Sequence, residues 1–243
     1  MRIITVPCLK DNYAYLIAQG DSCAVVDPSE PGPVIAALKR EGLTLTHILN
    51  THHHGDHTGG NLALKQTFGA VVVGPEHDSA RIPGLDIGVR EKTGWTFAGQ
   101  DVAVLEVPAH TTGAITFVIG DHAFTGDTLF VMGCGRLFEG DAAMMSSSLA
   151  KLMALPDDTN IWCGHEYAAS NGRFALTLEP GNTALQARMK NLPTPSVPAT
   201  LAQEKATNPF LRTDSREIRK TLGMKDADAV SVFAEIRRRK NEF

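Results

Sequence analysis

Thr51-His52-His53-His54-Gly55-Asp56-His57 packs four of the chain's nine histidines and one carboxylate into seven residues. Leu45 to Leu49, which reads as a strand, runs into it. Imidazole and carboxylate are the donor types for zinc, iron and manganese. In an extended loop residues i and i+2 point the same way, so His52 and His54 are expected to present two imidazoles to one cation. Asp56 and His57, past the intervening glycine, are expected to face a second. Crowding this many imidazoles around a carboxylate has no ordinary structural use.

The pattern repeats along the chain. A predicted strand at 102–107 runs into Pro108-Ala109-His110, one at 122–125 into Gly126-Asp127, and one at 161–163 into Gly164-His165. Each candidate ligand thus lies just past a strand's end, where loops carry chemistry on a rigid scaffold. Five histidines and two aspartates exceed one tetrahedral ion and suit two ions sharing a bridging carboxylate. Two ions ~3.5–4 Å apart hold a hydroxide between them and bring the pKa of its parent water toward neutrality. By contrast, His47, His53, His77 and His122 read as structural or surface residues. Asp127 alone would pass for a helix-capping turn; it gains meaning from its company.

Around these strands the sequence reads as a meander at 2–6, 13–18 and 23–27, a helix at 33–40 stopped by Gly42, a helix at 61–68 ended by Gly69, and a buried strand at 71–73. Gly120-Asp121 turns a strand at 115–119 into 122–125, and 144–155 is helical. From about residue 168 the character changes to helices at 182–191, 215–222 and 226–240, joined by a proline-rich stretch at 193–198, with no clear strand. Two domains are expected, 1–168 and 169–243.

The 243 residues, 43% hydrophobic and 21% charged, match soluble globular proteins and exclude a disordered, collagenous or coiled-coil chain. A net charge of −4 argues against nucleic-acid binding, even though residues 216–243 carry +3 against −7 for the remainder. Cys8, Cys23, Cys134 and Cys163 form neither a C-x-x-C pair nor a disulfide framework, which fits reduced thiols. Pro7 and then Lys10-Asp11-Asn12 break the N-terminus, so no signal peptide and no membrane span are expected, and the location is expected to be cytoplasmic.

Further stretches sharpen the reading: Asp11-Asn12-Tyr13, Val26-Asp27-Pro28, Phe124-Thr125-Gly126-Asp127-Thr128-Leu129-Phe130, Gly133-Cys134-Gly135-Arg136, Cys163-Gly164-His165-Glu166-Tyr167, Asn208-Pro209-Phe210-Leu211-Arg212 and Arg237-Arg238-Arg239-Lys240-Asn241-Glu242-Phe243. The histidine run is similar to the His-x-His-x-Asp-His signature of the metallo-β-lactamase superfamily. With the other stretches, the Gly-His-Glu-Tyr segment and the basic tail above all, the whole chain resembles the glyoxalase II family within it.

The resemblance implies an α+β fold, an αββα sandwich followed by a small helical C-terminal domain. It implies His52, His54 and His110 on a first metal, Asp56, His57 and His165 on a second, and Asp127 between them. Zinc is the first expectation for both, with iron or manganese suited to the same donors. The implied substrate is S-D-lactoylglutathione, hydrolysed to D-lactate and glutathione. Arg237 and Lys240 match the positions that hold the glycine carboxylate of glutathione, and Arg136 and Tyr167 match further contacts. Hydrolysis is then expected from a metal-bridging hydroxide that Asp56 helps to orient; a thiolate leaves readily because a thiol's pKa is only ~8.5.

Two departures stand out. The family's Pro-Gly-His-Thr-x-Gly-His reads Pro108-Ala109-His110-Thr111-Thr112-Gly113-Ala114, and Phe138 stands where some relatives carry Tyr. The remaining alternatives are a glutathione persulfide dioxygenase using one iron, a β-lactamase, a tRNA-processing ribonuclease and a non-catalytic acylthiol-binding protein. The missing signal peptide weighs against the β-lactamase and the modest charge against the ribonuclease. The intact donor set weighs against loss of catalysis. Gly133-Cys134-Gly135 shows no paired base and reads as loop-forming. A monomer is expected, with the small-molecule thioester as its partner and neither nucleic acid nor membrane.

Overall fold

Short apolar runs broken by Asn, Asp and Gly fold the N-terminal stretch into β1 (Arg2–Cys8), β2 (Asn12–Gln19) and β3 (Ser22–Val26), an antiparallel meander as expected. The computed structural model describes all 243 residues. They divide into two compact units, Met1–Glu106 with Gly113–Gly126, and Val107–Thr112 with Asp127–Phe243.

In the first unit the meander continues through α1 (Pro31–Glu41), β4 (His47–Leu49), α2 (Gly55–Thr58), α3 (Asn61–Phe68), β5 (Val71–Pro75) and β6 (Ile87–Val89). β3, β4, β5 and β6 pair in parallel, since helices or long loops return the chain between them. Gly42 and Gly69 close α1 and α3 in left-handed C-caps. Ala14, Leu16, Val25, Ile48 and Val72 pack with Val34, Leu38 and Leu64 of these helices into one buried core. The alternate residues point the other way: Tyr15 meets Phe124 with ring centroids 5.8 Å apart. Phe124 belongs to an antiparallel run of β7 (Trp95–Phe97), β8 (Gln100–Glu106), β9 (Ile115–Ile119) and β10 (His122–Gly126). His47 joins this inter-sheet layer, 5.4 Å from Phe97 and 6.1 Å from Trp95, and burial lowers its pKa, so it packs there as a neutral aromatic. The short β6 and β7 have no counterpart in the expected pattern.

Because β3, β4 and β5 are parallel, the residues leaving their C-terminal ends gather at one sheet edge. Asp27 follows β3, Asn50 to His57 follow β4, and Asp78 lies three residues past β5. Backbone bonds from Asp27 N to Leu49 O (2.9 Å) and from Asn50 N to Val73 O (2.8 Å) hold that edge together.

The second unit carries β11 (Leu129–Phe130), β12 (Gly133–Cys134), α4 (Ala142–Met153), β13 (Asn160–Cys163), α5 (Ala168–Leu178), α6 (Thr183–Lys190), β14 (Ala199–Thr200), α7 (Leu201–Thr207), α8 (Arg216–Leu222) and α9 (Ala229–Glu242). Beyond residue 168 the expectation of no strand is corrected by β14, which pairs antiparallel with β13. Helices α5 and α7 also have no counterpart in the expected pattern. Thr200 and Gln203 start α7 with a reciprocal capping box. Glu204 of α7 is fully buried and accepts from Arg188 Nη2 (2.6 Å), Met132 N (2.8 Å) and Asn208 Nδ2 (3.0 Å). This charge is tolerable because both carboxylate oxygens find donors. No helix is long and apolar enough to cross a membrane.

Candidate functional site

In the first unit, the loop after β4 is not extended throughout. His54 precedes the first turn of α2, so Asp56 and His57 project from a helix rather than from a strand-like loop. The imidazoles gather all the same: His52 lies 4.2 Å from His57 and 4.8 Å from His54, centroid to centroid.

What aims them is Asp27. It is buried, holds a left-handed φ of +47°, and accepts from Thr51 N (2.8 Å), Thr51 Oγ1 (2.7 Å) and His57 Nδ1 (3.0 Å). Facing a carboxylate, His57 Nδ1 must carry the ring proton, which leaves Nε2 as a lone pair. Thr51 has committed its hydroxyl hydrogen to Asp27. Its oxygen can therefore only accept from His52 Nδ1 at 3.0 Å, so His52 Nε2 is a lone pair too. Asp27, His52 and His57 also have donor atoms close enough to hold an ion, but these hydrogen bonds give Asp27 the role of orienting the rings. Gly126 is required here, because a Cβ at its φ of +49° would strike Thr51 Oγ1. Asp56, with its side chain partly exposed, is steadied by Asn12 Nδ2, which donates to its Oδ2 and its carbonyl, both at 3.1 Å.

The other histidines of this unit engage different groups or face solvent. His53 Nδ1 lies 3.0 Å from Oδ2 of the buried Asp78, which also pairs with Arg81. His122 sits beside Asp121, and burial lowers its pKa more than that neighbour raises it. His77 is exposed.

The second unit brings together His110, Asp127 and His165, all buried. His110 Nδ1 lies 3.0 Å from the Arg136 carbonyl and so donates to it, leaving Nε2 unprotonated. That Nε2 and the Nε2 of His165 both lie 3.4 Å from the same Asp127 Oδ2. A lone pair at that distance from a carboxylate oxygen is repulsive, and a shared cation removes the conflict. The donor chemistry therefore fits metal ions: Nε2 lone pairs on His52, His57 and His110, each fixed by a bond at the opposite ring nitrogen, beside carboxylates. Gly135 makes room for this, since a Cβ there would strike the Asp127 carbonyl oxygen and crowd His110 Nδ1. Ala109, next to His110, adopts φ +143°, where glycine is favoured.

Beside these residues lie the expected substrate contacts. Tyr167 stacks on His165 with centroids 4.8 Å apart and an interplanar angle of 6°. Arg237 is buried over the Phe210 ring (5.2 Å) and donates through Nη1 to Cys134 O (2.9 Å) and through Nε to Asn241 Oδ1 (3.1 Å). Lys240 is half-buried between the rings of Phe174 and Phe243. Burial, then the charges of Arg237, Arg173 and Arg136, pull its pKa down to about 8. Arg136 and Arg173 are exposed.

All four cysteines are free and buried. Burial raises Cys8, Cys23 and Cys134 to about 11 and Cys163 to about 12. Gly133 lies against Asn171 and Gly135 against Asp127, which accounts for the Gly-Cys-Gly segment as a tight loop. Asp27, Asn12 and Thr51 carry roles that the sequence did not disclose. For Asp27 the signal was the Val26-Asp27-Pro28 segment at a strand end, because a carboxylate leaving a buried strand needs a partner, and for Asn12 it was Asp11-Asn12-Tyr13.

The pattern describing the metallo-beta-lactamase superfamily matches residues 10–165, and that of the hydroxyacylglutathione hydrolase C-terminus matches residues 166–243. A hydroxyacylglutathione hydrolase of Methylococcus capsulatus is 48% identical, covering 100% of this chain and 99% of its own. Among solved structures, ETHE1 from Myxococcus xanthus superposes with a TM-score of 0.70 at 26% identity, covering 99% of this chain and 98% of its own. TTHA1623, solved in a di-iron-bound form, superposes with a TM-score of 0.63 at 27% identity, covering 87% and 100%. The fold is thus the metallo-β-lactamase fold with a helical C-terminal domain, as the resemblance implied. Its histidine and aspartate groups suggest binuclear metal binding. The chain belongs to the metallo-β-lactamase superfamily and, within it, to the hydroxyacylglutathione hydrolases, the glyoxalase II family.

Proposed function

We propose that the chain hydrolyses S-2-hydroxyacylglutathione thioesters, S-D-lactoylglutathione to D-lactate and glutathione, using two divalent metal ions. His52, His54 and His110 would hold the first ion, Asp56, His57 and His165 the second, and Asp127 would bridge them. Zinc is the first choice for both positions, with iron or manganese compatible. Such a pair supplies a hydroxide nucleophile at neutral pH and polarises the thioester carbonyl.

The chain's own residues do the rest. Asp27 and the Arg136 carbonyl keep the Nδ1 protons on His57 and His110, so their Nε2 lone pairs stay aimed. Asn12 holds the Asp56 carboxylate, which orients the attacking water. Arg237 and Lys240 anchor the glycine carboxylate of the glutathione moiety, with Arg136 and Tyr167 contacting its peptide, so the thioester is held in a reactive pose. The leaving thiolate needs no strong general acid. Residues 1–168 form the catalytic domain and 169–243 the glutathione-binding domain of a cytoplasmic monomer.

The observation that carries this reading is the pair of Nε2 atoms converging on Asp127 Oδ2, at 3.4 Å each, in a chain of this family. The test is steady-state cleavage of S-D-lactoylglutathione with metal content measured on the same sample. Turnover that a chelator abolishes and metal restores is expected. A protein carrying two ions that leaves the thioester intact refutes the proposal, and oxygen uptake with glutathione persulfide would then identify a dioxygenase.

A further inference from the structure

Helices α5 and α9 bring cations together without a counter-charge. Lys240 Nζ donates to Ser170 Oγ at 3.2 Å and lies 5.4 Å from the Phe174 centroid, so the α5 face bearing residues 170 and 174 lies against it. Arg173, three residues past Ser170, projects from that face. It is exposed and makes no hydrogen bond or ion pair within the protein. Arg136, Arg173 and Arg237 all act electrostatically on Lys240, and no acidic group offsets them. The acids of α9 are engaged elsewhere, Glu235 with Arg238 and Arg239, and Glu242 with Arg238. Like charges held this close disfavour the empty site and favour an anion within it.

The donor inventory shows which residue the assigned pair lacks. Arg237 has given one Nη1 hydrogen to Cys134 and its Nε hydrogen to Asn241, so the side of its fork that carries Nε is taken. Lys240 is a point charge with one donor on Ser170. A carboxylate is gripped best by two parallel N–H bonds from one guanidinium; Arg136 and Arg173 both keep their side-chain donors uncommitted, and of the two Arg173 lies on the α5 face that meets Lys240 while Arg136 is assigned to the peptide.

We propose that Arg173 is a further substrate-binding and specificity-determining residue, which joins Arg237 and Lys240 on the glycine carboxylate of the glutathione moiety. This deepens the function proposed above and rests on it. The experiment compares wild type, Arg173→Gln and Arg173→Lys on S-D-lactoylglutathione and on the same thioester with its glycine carboxylate amidated. Binding of the thioether S-hexylglutathione is measured by calorimetry alongside. With the natural thioester, Arg173→Gln should raise KM about 10-fold, the scale of one charge-assisted hydrogen bond at a partly exposed site, with kcat within about twofold. Arg173→Lys should recover part of the loss, and on the amidated substrate wild type and Arg173→Gln should coincide. An unchanged KM, or an equal penalty on both substrates, overturns the assignment. If no variant cleaves the thioester but Arg173→Gln still weakens S-hexylglutathione binding, the hydrolase reading fails and the Arg173 contact stands. If thioether binding is also unaffected, the contact fails.

Discussion

Asp27→Asn tests whether the histidines proposed as ligands depend on a proton placed from outside the metal shell. The introduced amide oxygen can still accept from Thr51 N, which lies 2.8 Å from Asp27 Oδ1. The amide nitrogen would stand where Oδ2 accepts from Thr51 Oγ1 and His57 Nδ1. Bond number is kept, but polarity reverses. His57 Nδ1 must accept, so its proton moves to Nε2 and blocks the ligand atom. Thr51, relieved of its acceptor, donates to His52 Nδ1 and turns that ring as well. Loss of such an outer partner lowers metal affinity about 10- to 100-fold, about 1.4–2.7 kcal/mol. Exchanging charge-assisted bonds for neutral ones costs about 1–2 kcal/mol of stability, or about 2–8 °C in Tm for a chain of this size. Metal retention against a graded chelator, with a thermal melt of each sample, separates the two effects. Asp27→Asn should give up its metal at far lower chelator while remaining folded. A variant holding two equivalents as tightly as wild type would refute the tautomer argument.

Three further outcomes are expected. Lys240, with its pKa near 8, is charged below that pH and neutral above it, so KM for the thioester should be flat below about pH 7 and rise above pH 8. Lys240→Arg should flatten the rise, because an arginine among Arg136, Arg173 and Arg237 does not titrate. Glu204→Ala would leave Met132 N without an acceptor and Arg188 without its counter-charge in the interior, at a cost of about 3–5 kcal/mol, while Asn208 keeps Phe130 O and Gly133 O; a calorimetric Tm within about 2 °C of wild type would contradict that network. Ala109→Gly should relieve a backbone conformation costing about 1–3 kcal/mol, against about 0.8 kcal/mol for its buried methyl group, so a modest gain in denaturant midpoint is expected and a clear loss would show that φ there is unstrained.

The sequence was most readable where chemistry is local. Four histidines in seven residues advertise themselves, and left-handed caps at Gly42 and Gly69 follow from a glycine after a periodic run. The groups that orient those histidines are hidden because their partners are remote in the chain: Asp27 lies 30 residues from His57, and Asn12 lies 44 from Asp56. Helix α2 is masked by its brevity, since four residues cannot show a helical period. The proline-rich stretch at 193–198 obscures β14, and α7 stays hidden behind it although Thr200 and Gln203 spell a capping box. Arg173 is invisible for a different reason, because an exposed arginine acquires meaning only when a second helix sets Lys240 beside its face.

The burial of every cysteine bears on survival in the enzyme's own reaction. Each turnover presents an activated thioester and releases a free thiol, the two reagents best suited to acylating a protein or exchanging its disulfides. Acyl transfer requires a protein thiolate that the solvent can reach, and a chain whose four cysteines are all free offers the released thiol no disulfide to exchange with. With thiols pushed to about 11 or 12, the ionised fraction at pH 7 is about one in ten thousand or less, and every sulfur is buried away from both reagents. The fold thereby keeps its sulfur chemistry confined to the substrate.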